Sequence, residues 1–236
     1  MNPLLINQNN FSTIFWKILL SSRNGLEKKD LELLSAEILS LQSLRGQADY
    51  NTGTISPKSA LWLYFLTRYF KPSTIAEVGT FIGTSGLSMV MGCDSNNLPV
   101  KFYSCDVSNS IDIPYKGKST VEFFKKSDST QMFKQLKDRG VSPEMFHIDG
   151  RLNQDDLPLL VDLKVMDAII LLDDFEGVEK GVVNAFALQG IINKTHVMAY
   201  PPKPEDCSFR DLDEMFPGTC TTAVLLPQKF LSLTRQ

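Results

Sequence analysis

Seven side chains able to do chemistry stand where apolar runs end: Glu77, Asp106, Ser127, Asp128, Asp149, Asp173 and Asp174. Acids gathered at one rim repel each other, and a cation or a ligand's hydroxyls would relieve that. The run "TIAEVGTFIGTSGLSMV", residues 74–90, carries the pattern Glu77-x-Gly79-x-x-x-Gly83. Gly79 permits a sharp reversal and close backbone approach. Gly83, Thr84 and Ser85 open the next helix, whose unpaired N–H groups and positive end attract an anion such as a carboxylate. The spacing is not that of the dinucleotide fingerprint, and Phe81 stands where that pattern has its second glycine. Its side chain would crowd a pyrophosphate but leave room for a carboxylate. Asp106 closes the following apolar run, where a carboxylate either accepts from both hydroxyls of a ribose or caps a helix at "SNS". His147 precedes Asp149 by two and shares its face in an extended strand, where it either reaches the site or sits satisfied in the core. Arg151 follows closely, and a guanidinium cannot act as a base at ordinary pH.

The elements that must hold these residues alternate in type. "STIAEVG", "VKFYSCD", "TVEFFKKS", "PEMFHID", "DAIILLDD" and "KTHVMAY" read as strands, and "TTAVLLPQKFLSLTR" supplies one or two closing strands. Between them "TSGLSMVMGC", "DSTQMFKQLKDRG", "LNQDDLPLLVDLK" and "GVEKGVVNAFALQG" read as helices. This order predicts a Rossmann-like, doubly wound α/β fold with a mostly parallel seven-stranded sheet. Such a sheet binds ligands at the carboxyl ends of its strands, where the seven side chains lie. "KSALWLYFLTRYF" predicts an amphipathic helix ending at Lys71-Pro72. Residues 1–50 predict a helical extension acting as a lid or dimer interface, and residues 51–236 the main domain. Residues 201–218, "PPKPEDCSFRDLDEMFPG", predict an excursion that shapes a substrate pocket.

The net charge of −3 argues against nucleic acid as a partner. Cys93, Cys105, Cys207 and Cys220 form no Cys-x-x-Cys pair and have only two histidines to help them, so reduced thiols in a cytoplasmic protein are expected. "FSTIFWKILL", residues 11–20, is too short to span a bilayer and suits docking on the domain or on a second subunit of a homodimer.

"AEVGTFIGTSGLSM", then "YSCD", then "MFHIDGR" and "DLKVMDAIILLDDFEGVEKGV" together resemble the class I S-adenosylmethionine-dependent methyltransferases. The likeness is to small-molecule O-methyltransferases of the catechol and macrocin/novobiocin kinds, over residues 50–200. It implies methyl transfer from S-adenosylmethionine to an oxygen of a small-molecule acceptor. Gly79 and Gly83 would lie against the methionine part, with Phe81 beside them. Ser85 would hold the carboxylate, and Glu77 would order the loop or reach the amino group. Asp106 would bind ribose, Ser127 and Asp128 would sit near adenine, and Thr52 and Gly53 would close over the cofactor. Asp149, also counted with the cofactor set, matches a metal ligand with Asp173 and Asp174. Three carboxylates suit a hard ion, Mg²⁺ first.

The segment after Asp149 departs from the family. It reads Gly150, Arg151, Leu152, Asn153, without a lysine to act as base. The candidates for catalysis are Asp149, Arg151 and His147, while Asp155 and Asp156 read as a solvated helix face. A nicotinamide-dependent oxidoreductase and a non-catalytic S-adenosylmethionine-binding module are the alternatives.

Overall fold

The computed structural model describes residues 11–21, 23, 26–47, 53–108, 114–203 and 210–230. Thr52 and Cys207 lie outside them. Strands β1 (Thr74–Val78), β2 (Lys101–Asp106), β3 (Thr120–Lys125), β4 (Met145–Ile148), β5 (Ile169–Leu172), β6 (His196–Ala199) and β7 (Ala223–Pro227) form one sheet. Its order is β3-β2-β1-β4-β5-β7-β6. The first five strands pair in parallel, and β7 runs antiparallel between β5 and β6. The expected mostly parallel, seven-stranded architecture is the one observed.

The chain leaves β1 toward β2 and β3, then returns to place β4 on the other side of β1. That reversal makes the carboxyl ends of β1 and β4 the switch point, where an open sheet leaves a crevice. The two loops meet there. The amides of Asp149 and Gly150 both donate to Val78 O at 2.9 Å.

Alternation along the strands divides the core. Ile75, Phe102, Met145, Ile169 and Leu171 face one layer of helices, while Ala76, Val78, Phe146, Ile148, Ile170 and Leu172 face the other. Helix α3 (Pro57–Phe70) lies in the first layer, with an unbroken buried run from Lys58 to Thr67. Its start is set by Ser56, whose hydroxyl accepts from Ser59 N at 3.0 Å, and by Pro57 in the first turn. It stops at left-handed Lys71, just before Pro72, as the sequence predicts.

Helices α1 (Phe11–Ser21) and α2 (Lys28–Gln42) cover α3. Phe11, Phe15, Trp16, Leu19 and Leu20 are buried within the chain itself. Trp16 meets Trp62 edge-on at 4.8 Å between ring centres and donates to Tyr200 O at 2.6 Å. Burying such a side chain contributes about 1.5–3 kcal/mol. The aromatics that suggested a lid or subunit interface are therefore part of this chain's own core.

The described part of the excursion turns the same way. Helix α8 (Arg210–Met215) packs on the N-terminal helices through Leu212, and Asp213 pairs with Lys58. None of its described residues lines the strand-end cavity, which departs from the expected pocket wall. Helices α4 (Thr84–Asp94), α5 (Ser129–Asp138), α6 (Asp156–Asp162) and α7 (Lys180–Ile192) follow β1, β3, β4 and β5. Cys93, Cys105 and Cys220 are buried and free. Among the described residues, no helix is long and apolar enough to cross a membrane.

Candidate active site

A cavity of about 500 Å³ opens at the carboxyl ends of β1, β2 and β4. Of the residues singled out in the sequence, it brings together Gly53, Gly79, Phe81, Asp106, Ser127, Asp128, Asp149 and Arg151. Its size is within the range of small-molecule sites.

The glycine turn forms one wall. Gly79 has φ +99°, and a Cβ there would lie 3.0 Å from Gly150 N and 3.2 Å from Asp149 C. Only glycine suits both the conformation and the contact. Phe81 is also left-handed, at φ +44°, so the position that carries glycine in dinucleotide sites keeps a glycine-like backbone here. Its amide donates to Asp106 Oδ2 at 2.7 Å, and Ser108 N donates to Oδ1 at 2.9 Å. Asp106 is thus a buried carboxylate aimed at the turn rather than an exposed helix cap. Ser127 donates to Gln131 Oε1 at 3.0 Å, and Asp128 caps α5 by accepting from Gln131 N at 2.8 Å. Thr54 reaches the start of α4, donating to the Thr84 hydroxyl at 3.2 Å, which brings the loop at Gly53 over the turn.

Glu77, Gly83 and Ser85 do not line the cavity. Glu77 is fully buried. It accepts from Ser85 Oγ and Ser104 Oγ, both at 2.6 Å, and meets His147 Nδ1 at 3.0 Å. Register explains the cluster: Ser104, Glu77 and His147 are direct neighbours across β2, β1 and β4. The carboxylate orders the loop through Ser85 and is turned away from the cavity. Ser85 is directed into the protein by the same bond. His147 is likewise inaccessible, and its Nε2 has no partner among the described residues. Burial opposes its charged form, but the hydrogen bond and charge of Glu77, with Asp173 and Asp149 behind, hold its pKa above the ordinary value.

At the other wall, Asp149, Asp173 and Asp174 bring carboxylate oxygens within 4.8 Å of one another. The donor chemistry suits a hard divalent ion. The position of Lys180 does not, because its Nζ lies 2.8 Å from Asp149 Oδ1 and 3.0 Å from Asp174 Oδ2. Burial and the charge of Asp173 push the Asp149 pKa up, against Lys180 and His147, which draw it down. Burial opposes the charged form of Lys180, yet Asp149 and Asp174 outweigh it and raise its pKa.

No protein-family model matches the sequence, and no curated protein matches it. Solved structures do. An O-methyltransferase from Bacillus cereus in complex with SAH aligns at TM-score 0.52 and 11% identity, over 80% of this chain and 89% of that one. The O-methyltransferase TomG from Streptomyces achromogenes, involved in tomaymycin synthesis and in complex with SAM, aligns at TM-score 0.52 and 13% identity, over 89% and 96%. The fold is that of these two methyltransferases.

Two residues that sequence reasoning passed over, and one that it misread as solvated, matter at this site. Lys180 carried one local signal, for it begins α7, where a cation opposes the helix dipole and must have another reason to be there. Asn184 is buried and clamps the segment after β4, accepting from Leu152 N at 3.1 Å and donating to Gly150 O at 2.8 Å. Asp156 is the third. It is fully buried, not solvated, and accepts from Ser129 and Thr130 hydroxyls at 2.6 Å and from Asn153 N at 2.7 Å. Those bonds start α6 at Asp156 rather than at Leu152.

Proposed function

We propose that this chain methylates an oxygen of a small molecule, using S-adenosylmethionine as the donor. The observation that carries the reading is the lock between Asp106 and the Phe81 amide, which holds a carboxylate against the glycine turn at the switch point. A carboxylate there suits ribose hydroxyls, and Ser127 and Asp128 follow it along the cavity toward the adenine. Bare backbone at Gly79 and the loop at Gly53 receive the methionine end. Gly79, Phe81 and Asp106 would hold the donor, which would supply an electrophilic sulfonium methyl to the acceptor oxygen and leave as the thioether.

Acceleration then comes mainly from holding the two reactants in line. The acceptor lies toward Asp149, Arg151 and Lys180. Among the candidates for accepting its proton, His147 is walled off and a guanidinium such as that of Arg151 is no base, which leaves Asp149, a carboxylate whose raised pKa makes it the stronger base. Mg²⁺ is left out of this reading because Lys180 already holds two of the three carboxylates. Nor does the reading require a homodimer, since the aromatics that suggested one are buried inside the chain.

Calorimetry with S-adenosylmethionine, S-adenosylhomocysteine and NAD tests the assignment. We expect binding of the first two, weakened roughly tenfold or more by Asp106→Asn. Binding of NAD alone would overturn it in favour of an oxidoreductase. Donor binding without turnover across a broad acceptor panel would favour a non-catalytic module.

A further inference from the structure

The acidic rim already contains a cation belonging to the chain. Lys180 Nζ bridges Asp149 Oδ1 at 2.8 Å and Asp174 Oδ2 at 3.0 Å. The remaining carboxylate, Asp173, is buried, and its Oδ1 accepts from the hydroxyls of Thr221 at 3.0 Å and Thr222 at 2.8 Å. A divalent ion drawing on all three acids would have to share two of them, Asp149 and Asp174, with the ammonium. It would also need to approach them to roughly 2.0–2.6 Å, against the repulsion of a neighbouring positive charge.

The backbone around Lys180 is fastened to both acid-bearing loops. Gly181 packs on the segment that follows β5, where a Cβ would lie 3.0 Å from Asp174 C and Phe175 N and would strike Asp173 O. One turn on, Asn184 holds Gly150 and Leu152, next to Asp149. The start of α7 is therefore set against the ends of β4 and β5 together. Lys180 keeps 30% of its side chain exposed and lines the cavity beside Asp149 and Arg151.

We propose that Lys180 is the resident cation of this rim. While it is in place the three aspartates take up no divalent metal, and the ammonium N–H not directed at Asp149 or Asp174 is offered to the acceptor oxygen. The last clause rests on the methyl-transfer reading, whereas the exclusion of metal does not. It also narrows the acceptor class. A metal with several open positions chelates two vicinal oxygens, but a single ammonium N–H serves one. The fitting acceptor therefore presents one isolated hydroxyl or carboxylate rather than a catechol-like pair.

Mn²⁺ is the probe, followed by electron paramagnetic resonance on the full chain, with Lys180→Ala and Lys180→Gln as variants. We expect no stoichiometric uptake by the unsubstituted protein and an apparent affinity gain of roughly tenfold or more in both variants, because a repelling charge is removed from the carboxylates. Stoichiometric uptake by the unsubstituted protein would overturn the proposal, and that measurement stands even if neither variant folds. A folded variant with no gain would overturn it as well. In turnover, excess chelator should change nothing and single-oxygen acceptors should outperform vicinal diols; the reverse preference would refute the acceptor clause. Calorimetry on the same samples separates the two readings, since failure to bind S-adenosylmethionine would sink methyl transfer while leaving the Mn²⁺ result intact.

Discussion

Replacing Glu77 by alanine tests whether the acid beside the glycine turn is a structural group or a ligand for the cofactor. The carboxylate is fully buried and holds Ser85, Ser104 and His147 at 2.6, 2.6 and 3.0 Å. A hydrogen bond to a charged group contributes about 1.5–3 kcal/mol, but the three are not additive, and burying the carboxylate itself costs energy. Removing one partner of a buried charged pair typically destabilises by about 3–5 kcal/mol, the magnitude expected here. With a urea slope of about 3 kcal/mol/M, at the upper end of the small-protein range, the midpoint falls by about 1–2 M. Buried Trp16 and Trp62 report the transition by fluorescence. Glu77→Gln keeps one acceptor oxygen and should lose less, about 2 kcal/mol. The reasoning is refuted if Glu77→Ala shifts the midpoint by less than about 0.3 M, for then the three donors are satisfied without it. It is equally refuted if stability is kept while S-adenosylmethionine binding disappears, since Glu77 would then be a ligand group.

Three further outcomes follow from the same structure. Gly79→Ala forces a side chain into φ +99° and to within 3.0 Å of Gly150 N, so it should lose about 1–3 kcal/mol in urea unfolding and weaken donor binding by calorimetry. Gly140→Ala, at φ +67° with open space around it, is the control and should lose about 1–2 kcal/mol with donor binding unchanged. His196 is buried with Nε2 against Ala168 O at 2.8 Å, and burial lowers its pKa below the ordinary 6.5. The unfolded chain therefore takes up the proton first, and the stability due to neutral His196 is whole above pH 6.5 and lost as pH falls through the folded pKa. Melting curves from pH 7.5 downward should show a decline that is smaller in His196→Gln; equal slopes would remove His196 as its source.

Much of this arrangement is legible along the chain because it depends on short-range physics. The change from period-two to helical patterning marks β1 and α4, and the pairing of glycine with left-handed backbone marks Gly79 and Gly83. Pro57 and Pro72 bracket α3 through constraints that act within a few residues. The gathering of acids at one rim follows once the strands are taken as parallel, since every strand then ends on the same side.

The set of elements, and the end of the sheet that carries chemistry, follow from residue pattern along the chain. Which way each polar group faces and whom it meets depend on how the strands and helices pack. Glu77 and Asp106 both occupy strand-end positions, yet cross-strand register hands Glu77 to Ser104 and His147, while Asp106 meets the Phe81 amide at the cavity. Asp155 and Asp156 are neighbours in one polar run, but only Asp156 turns inward, because α5 offers it two hydroxyls. Lys180 reaches Asp149 across 31 residues, a meeting that exists only because β4 and β5 are adjacent and α7 starts directly above them. Local pattern carries no information on such a pairing, since a lysine's charge is the same wherever its chain is led, and the fold alone brings it onto the acids.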